Sequence, residues 1–151
     1  MRNQFTLSCL MACSLLSLSE PGCAALGGSL ESVQSDQAHM RATRRVASRT
    51  GYDVHELDLS SGTIVREYVT SAGTVFGVAW QGPFKPDLRQ LLGDSFQRVV
   101  AAGQTPHGGH RMLAIHSPDL VVDSGGRMRA FSGRAYLPAL LPPTVAPGDV
   151  Q

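Results

Sequence analysis

Two glycine-ended links, eleven residues apart, constrain this chain more than any other feature. From Tyr52 to Trp80 the sequence reads YDVHELDL, SSG, TIVREYVT, SAG, TVFGVAW, and "SSGTIV" is echoed by "SAGTVF". Three strand-like runs joined by three-residue loops ending in glycine predict an antiparallel β-meander, because the last loop residue takes a left-handed conformation. Counting from the loops sets the rows. One face is expected to carry Val54, Tyr68 and Phe76, then Glu56, Arg66 and Val78, then Asp58, Ile64 and Trp80. The other carries Asp53, Val69 and Val75, then His55, Glu67 and Gly77, then Leu57, Val65 and Ala79. The aromatic face is expected to be the main core.

Both faces are apolar enough to need a cover. "PDLRQLLGDSFQRVVAAG" supplies one, with Leu88, Leu91, Leu92, Phe96 and Val99 on one helical stripe behind an Asp87 cap. Gly93 lies inside the pattern and predicts a bend or break there. Upstream, Ser29 can cap a thin-striped helix to about Arg41, which fits a surface position. Arg41 to Thr50 reads as a basic polar lead-in. Downstream come a possible strand at Met112 to His116, a hairpin turning at Gly125-Gly126, and a proline-rich end suited to a strapped or loose tail. The expected fold class is α+β: an antiparallel β-meander extended by a C-terminal hairpin, packed against one main amphipathic helix, with an N-terminal surface helix.

The start of the chain reads as a secretory leader. Arg2, the apolar run Phe5 to Leu18, the breakers Pro21 and Gly22 and the small residues before Ala25 fit a signal peptide over 1–24. That run is too short for a permanent membrane span. A single domain is expected over 25–142 and a tail over 143–151, in a periplasmic or secreted protein. Lipidation of Cys23 is the rival reading. All three cysteines fall in the leader, so the mature domain has neither a disulfide nor a cysteine metal site. Losing Arg2 and Glu20 leaves 12 basic and 11 acidic residues, a balance that argues against nucleic acid. Twelve of the thirteen basic residues in the full chain are arginine, a bias more simply explained by base composition than by anion recognition.

Several groups invite a chemical reading. Glu56 and Asp58 point the same way about 7 Å apart from strand rise, a spacing that suits acid/base work on a glycosidic bond. The same register sets Arg66 opposite Glu56, which explains the pair as cross-strand charge. His107, His110 and His116 form H-x2-H-x5-H on a glycine-rich loop, without a fixed fourth ligand for a metal. Ser124 lacks the flanking glycines of a nucleophile elbow and reads as a turn residue. Arg127, Arg129 and Arg134 in "SGGRMRAFSGRAYLP" are the remaining candidates, for contact with an anion or partner. With a turn at Gly125-Gly126 they converge only if Ser132-Gly133 forms a bulge.

Five blocks, "AALGG" (24–28), "GTIVREYV" (62–69), "GTVFGVAWQGP" (73–83), "PDLRQLLG" (86–93) and "DLVVDSGGRMRAFSGRAYLPALLP" (119–142), resemble the domain of unknown function 2844 family. Those are small exported proteins of Gram-negative bacteria. The resemblance implies a periplasmic or secreted location and no reaction, cofactor or catalytic residue. No catalytic, cofactor or metal residues are therefore expected. The reading is an exported, non-catalytic domain that binds an envelope protein or cell-wall component. The alternative is a small cell-wall glycan or ester hydrolase using Glu56, Asp58 or Ser124.

Overall fold

The computed structural model describes residues 26–104 and 112–151; the leader and the loop histidines His107 and His110 lie outside them. The described chain is an α+β fold built on one antiparallel sheet. Its strands are β1 (Thr43–Arg49), β2 (Tyr52–Asp58), β3 (Ile64–Thr70), β4 (Val75–Gly82), β5 (Met112–His116), β6 (Val121–Arg127) and β7 (Ala130–Tyr136), in the order β1-β2-β3-β4-β7-β6-β5. Two meanders therefore meet at β4 and β7, leaving β1 and β5 as edges.

The glycine-ended loops do what their sequence requires. Gly62 and Gly73 have φ of 83° and 84°, in the left-handed region that glycine adopts without steric cost. The β2–β3 register matches the expected rows, with Val54 opposite Tyr68 and Glu56 opposite Arg66. The β3–β4 register does not. It starts as expected, with Val69 opposite Val75, then slips by one residue so that Tyr68 faces Gly77 and Val65 faces Trp80. The cause is a β-bulge at Phe76, an extra residue that keeps Phe76 on the aromatic face and turns Trp80 to the other.

The larger core lies on the aliphatic face, not the aromatic one. There Leu57, Val65, Val69, Val75, Val78 and Trp80 pack beneath the helices. α1 (Leu30–His39) contributes Val33, α2 (Leu88–Leu92) contributes Leu91 and Leu92, and α3 (Phe96–Gln104) contributes Val99. Asp87 caps α2 by accepting from the amides of Arg89 and Gln90 at 3.0 and 3.1 Å. A 3-10 turn over Gly93–Ser95 breaks the long helix where Gly93 weakens it. Residues 26–28 tie α1 in place: Gly27 N–H donates to Val75 C=O at 2.8 Å and Leu26 N–H to Leu91 C=O at 3.1 Å.

The aromatic face is covered by the C-terminal segment. Val145 and Val150 pack on Tyr68, Phe76 and Tyr136, and Val150 is completely buried. Gly77 makes room for it, since a Cβ there would lie 3.2 Å from a Val150 methyl. Tyr68 Oη donates to Gln151 C=O at 2.7 Å, and Thr144 Oγ1 donates to Thr50 C=O at 3.0 Å. The proline-rich stretch is a strap. The sheet thus has a helix face and a strap face.

Two further expectations are corrected. The basic lead-in contains a strand, β1, which is exposed along nearly its whole length and so lacks the alternation that marks a strand in sequence. The C-terminal hairpin turns at Met128-Arg129, with Arg127 opposite Ala130 and Asp123 opposite Arg134. β7 keeps an unbroken register with both β4 and β6, so Ser132-Gly133 forms no bulge.

Candidate functional site

The expected acid/base pair is held by arginines. Arg66 Nε donates to Glu56 Oε2 at 2.9 Å, and Arg45 bonds Asp58 while lying 3.4 Å from Glu56. The arginines account for both carboxylates as cross-strand ion pairs. Ser124 stands opposite Gly133 and Leu113, in a row that continues to Trp80 on the helix face. That row contains no histidine or carboxylate. His116 Nε2 lies 2.7 Å from Asp123 Oδ1, and Arg134 donates twice to Asp123 Oδ2, at 3.0 and 2.9 Å. Burial works against ionisation of Asp123, but the His116 and Arg134 contacts outweigh it and lower its pKa. Among the described residues no three His, Cys, Asp or Glu side chains are placed to hold a metal ion.

The three candidate arginines do not come together. Arg127 and Arg134 share the strap face, but Ala130, the partner of Arg127, stands four residue steps along β7 from Arg134, about 13 Å of strand. Arg134 is bound to Asp123 and to Pro147 C=O at 3.0 Å. Arg129 lies in the turn itself, at φ 64°. Between Arg127 and Arg129, Met128 is 88% exposed.

The strap covers only the middle of its face, and a cleft opens on each side. The first, about 490 Å³, lies over β5, β6 and β7. Ala114, Gly125 and Ser132 give it a floor of small side chains, and Met112, 81% exposed, stands at its rim. The second, about 560 Å³, lies over β1, β2 and β3. Its floor is Ala47, Val54, Tyr52 and Tyr68, bounded by the row Arg45, Glu56, Arg66 on one side and Arg49 on the other. Gln151 lines both clefts.

A third polar group is buried under α1. Glu67 and Asp36 are each 1% exposed and His55 is 5% exposed. Gln90 Nε2 donates to Asp36 Oδ1 at 2.6 Å. Burial first, then the facing Asp36, push the Glu67 pKa up to about 9. Ionised, neither oxygen of Glu67 would have a donor. Protonated, Glu67 can donate to the Asp36 carboxylate that faces it. Burial likewise raises the Asp36 pKa and lowers that of His55. The signal for Glu67 was present in the sequence: its strand row places it between Val65 and Val69, on the face the helices cover.

The sequence model of a family described as a protein of unknown function (DUF2844) matches residues 22–150. The chain belongs to the DUF2844 family. The DUF2844 match takes in every helix and strand described above, and the strap through Val150. No curated protein and no solved structure matches the chain. No helix among the described residues of this DUF2844 protein is long and apolar enough to cross a membrane.

Proposed function

We propose that this DUF2844 protein is an exported, non-catalytic domain that binds an envelope protein through the β5–β7 end of its strap face. One observation carries the reading. Met112, 81% exposed, stands at the rim of an open cleft floored by Ala114, Gly125 and Ser132, and Met128, 88% exposed, lies in the β6–β7 turn at the same end of the sheet. Exposed methionines are adaptable contact groups, and a partner's apolar side chains fit a floor of small residues. Arg127 and Arg129 flank Met128 and supply charge to the same end, which favours a partner with acidic groups around an apolar centre. The engagement of Glu56 and Asp58 by arginine removes the main support for a hydrolase. A periplasmic or secreted location rests on the leader over 1–24, which the family match leaves almost entirely outside its span.

The test is capture from a native envelope extract by the exported protein, compared with a Met112→Ser, Met128→Ser double variant. Both side chains are exposed, so the variant keeps its fold. A protein retained by the wild type and lost by the variant supports the proposal; equal retention by both refutes it. Intact mass of the exported protein checks the leader, with Ala25 expected as the first residue.

A further inference from the structure

The cleft on the other side of the strap has a different chemistry. We propose that the β1–β3 cleft is a binding site for an acidic saccharide. Opposed residues of an antiparallel sheet share a face, so the register lays this cleft out in rows: Arg45, Glu56, Arg66; then Ala47, Val54, Tyr68; then Arg49 and Tyr52. Asp149 and Gln151 of the strap form its wall. The middle is apolar and partly aromatic. The half-buried Tyr52 ring is braced by Phe76 at 5.8 Å, edge to face, and by Tyr68 at 6.3 Å. One margin is the paired Arg45, Glu56, Arg66 row, and the other is Arg49.

Three chemistries can be weighed against that layout. A polyphosphate or nucleic acid needs a net positive surface, whereas Arg45, Arg49 and Arg66 are matched here by Glu56, Asp58 and Asp149. A hydrocarbon chain would desolvate the Arg45, Glu56, Arg66 row without satisfying it. A saccharide fits all three parts. Its C–H face covers Tyr52 and Val54, its hydroxyls donate to Glu56 and Asp149, and a ring carboxylate meets Arg49. Arg49 is the one arginine of this cleft that makes no ion pair with a described residue; its hydrogen bond to Ser48 C=O is long, at 3.4 Å. Its guanidinium is therefore free to grip a carboxylate with two parallel bonds.

An acidic sugar can come from muramic acid in the cell wall or from a uronic acid polymer, and the experiment separates the sources. The exported protein is titrated calorimetrically with a muramic-acid disaccharide, an oligogalacturonate, chitobiose and an acidic hexapeptide. The expected result is binding of one or both acidic sugars, more weakly of neutral chitobiose, and none of the peptide. Arg49→Glu is expected to weaken the acidic sugar by about tenfold or more, the scale of a lost charge-assisted bond. Ala47→Trp fills the floor and is expected to abolish binding. Both positions are exposed, so unchanged melting curves establish that the fold is intact. Failure of every sugar to bind, binding of the peptide instead, or affinities unmoved by both variants would overturn the proposal. The methionine variant leaves this cleft untouched, so the two proposals stand or fall separately.

Discussion

Replacing Glu67 by glutamine should stabilise the protein at neutral pH. Glu67 has an ordinary pKa of 4.5 when unfolded and about 9 when folded, so between those values folding takes up a proton. Stability of this origin is fully present below pH 4.5 and is lost as pH rises toward 9, at about 1.4 kcal/mol per pH unit. At pH 7 the wild type has therefore forgone about 3 kcal/mol relative to a neutral side chain of the same shape. The glutamine amide has that shape and can donate to Asp36 as the protonated acid does. Urea unfolding from pH 5 to pH 8 should show Glu67→Gln gaining over the wild type by about 4 kcal/mol across the interval. The difference between the two proteins is the quantity to follow. Burial lowers the His55 pKa, which adds a slope of the opposite sign below its unfolded value of 6.5, and that contribution cancels in the difference. A difference that stays flat with pH would show that Glu67 is ionised in the folded protein, and its raised pKa would be refuted.

Other perturbations test the strap, the sheet and the hairpin. Val150→Ala, at a completely buried position, should cost on the order of 2 kcal/mol by urea denaturation, whereas a loose tail would make it neutral. Gly133→Ala would set a Cβ 2.3 Å from Trp80 Cζ2 and 2.9 Å from Asp123 C=O, so it should destabilise by about 1–3 kcal/mol. Asp123→Asn should remove an acid-limb contribution. The pKa of Asp123 is lowered from 3.8, so its stabilisation is present above that value and is lost as pH falls below it; the variant should show a shallower acid transition by circular dichroism. Arg129→Gly should leave stability within about 1 kcal/mol, because relief of the left-handed backbone offsets the flexibility of glycine. Partner capture should fall in that variant, and undiminished capture would remove Arg129 from the contact surface.

How far the sequence reveals the fold depends on which forces set each part. Local turn chemistry fixed β2, β3 and their register, because Gly62 and its loop leave one way to connect them. The break at Gly93 was legible for the same reason. β1 was not, since Thr43–Arg49 gains its strand conformation from pairing with β2 rather than from burial of alternate side chains. The hairpin misled because Gly125-Gly126 is the most turn-like dipeptide in its neighbourhood, yet those glycines lie within β6 and form the open floor and edge of a cleft. Glu56 with Arg66 was readable from register alone. The Asp36–Glu67 pair was not, since it joins a helix to a strand thirty-one residues away in sequence through packing that periodicity does not encode.

Both clefts trace back to one inserted residue. The bulge at Phe76 places Phe76 and Gly77 on the same side of β4, so a large ring and an empty position stand next to each other. The empty position receives Val150, and the ring supports it. That seating fixes the strap along the centre of the sheet, where Tyr68 Oη and Arg134 hold its carbonyls at Gln151 and Pro147. A regular β4 would instead send Gly77 to the helix face, as the simple count from the loops expects, and the strap would have no slot. The same slip turns Trp80 onto the helix face, where only a glycine at 133 leaves space for its ring. The strap is too narrow to cover seven strands. Its position at the centre therefore determines that two separate clefts remain, one floored by glycine, alanine and serine and the other by tyrosine between arginines.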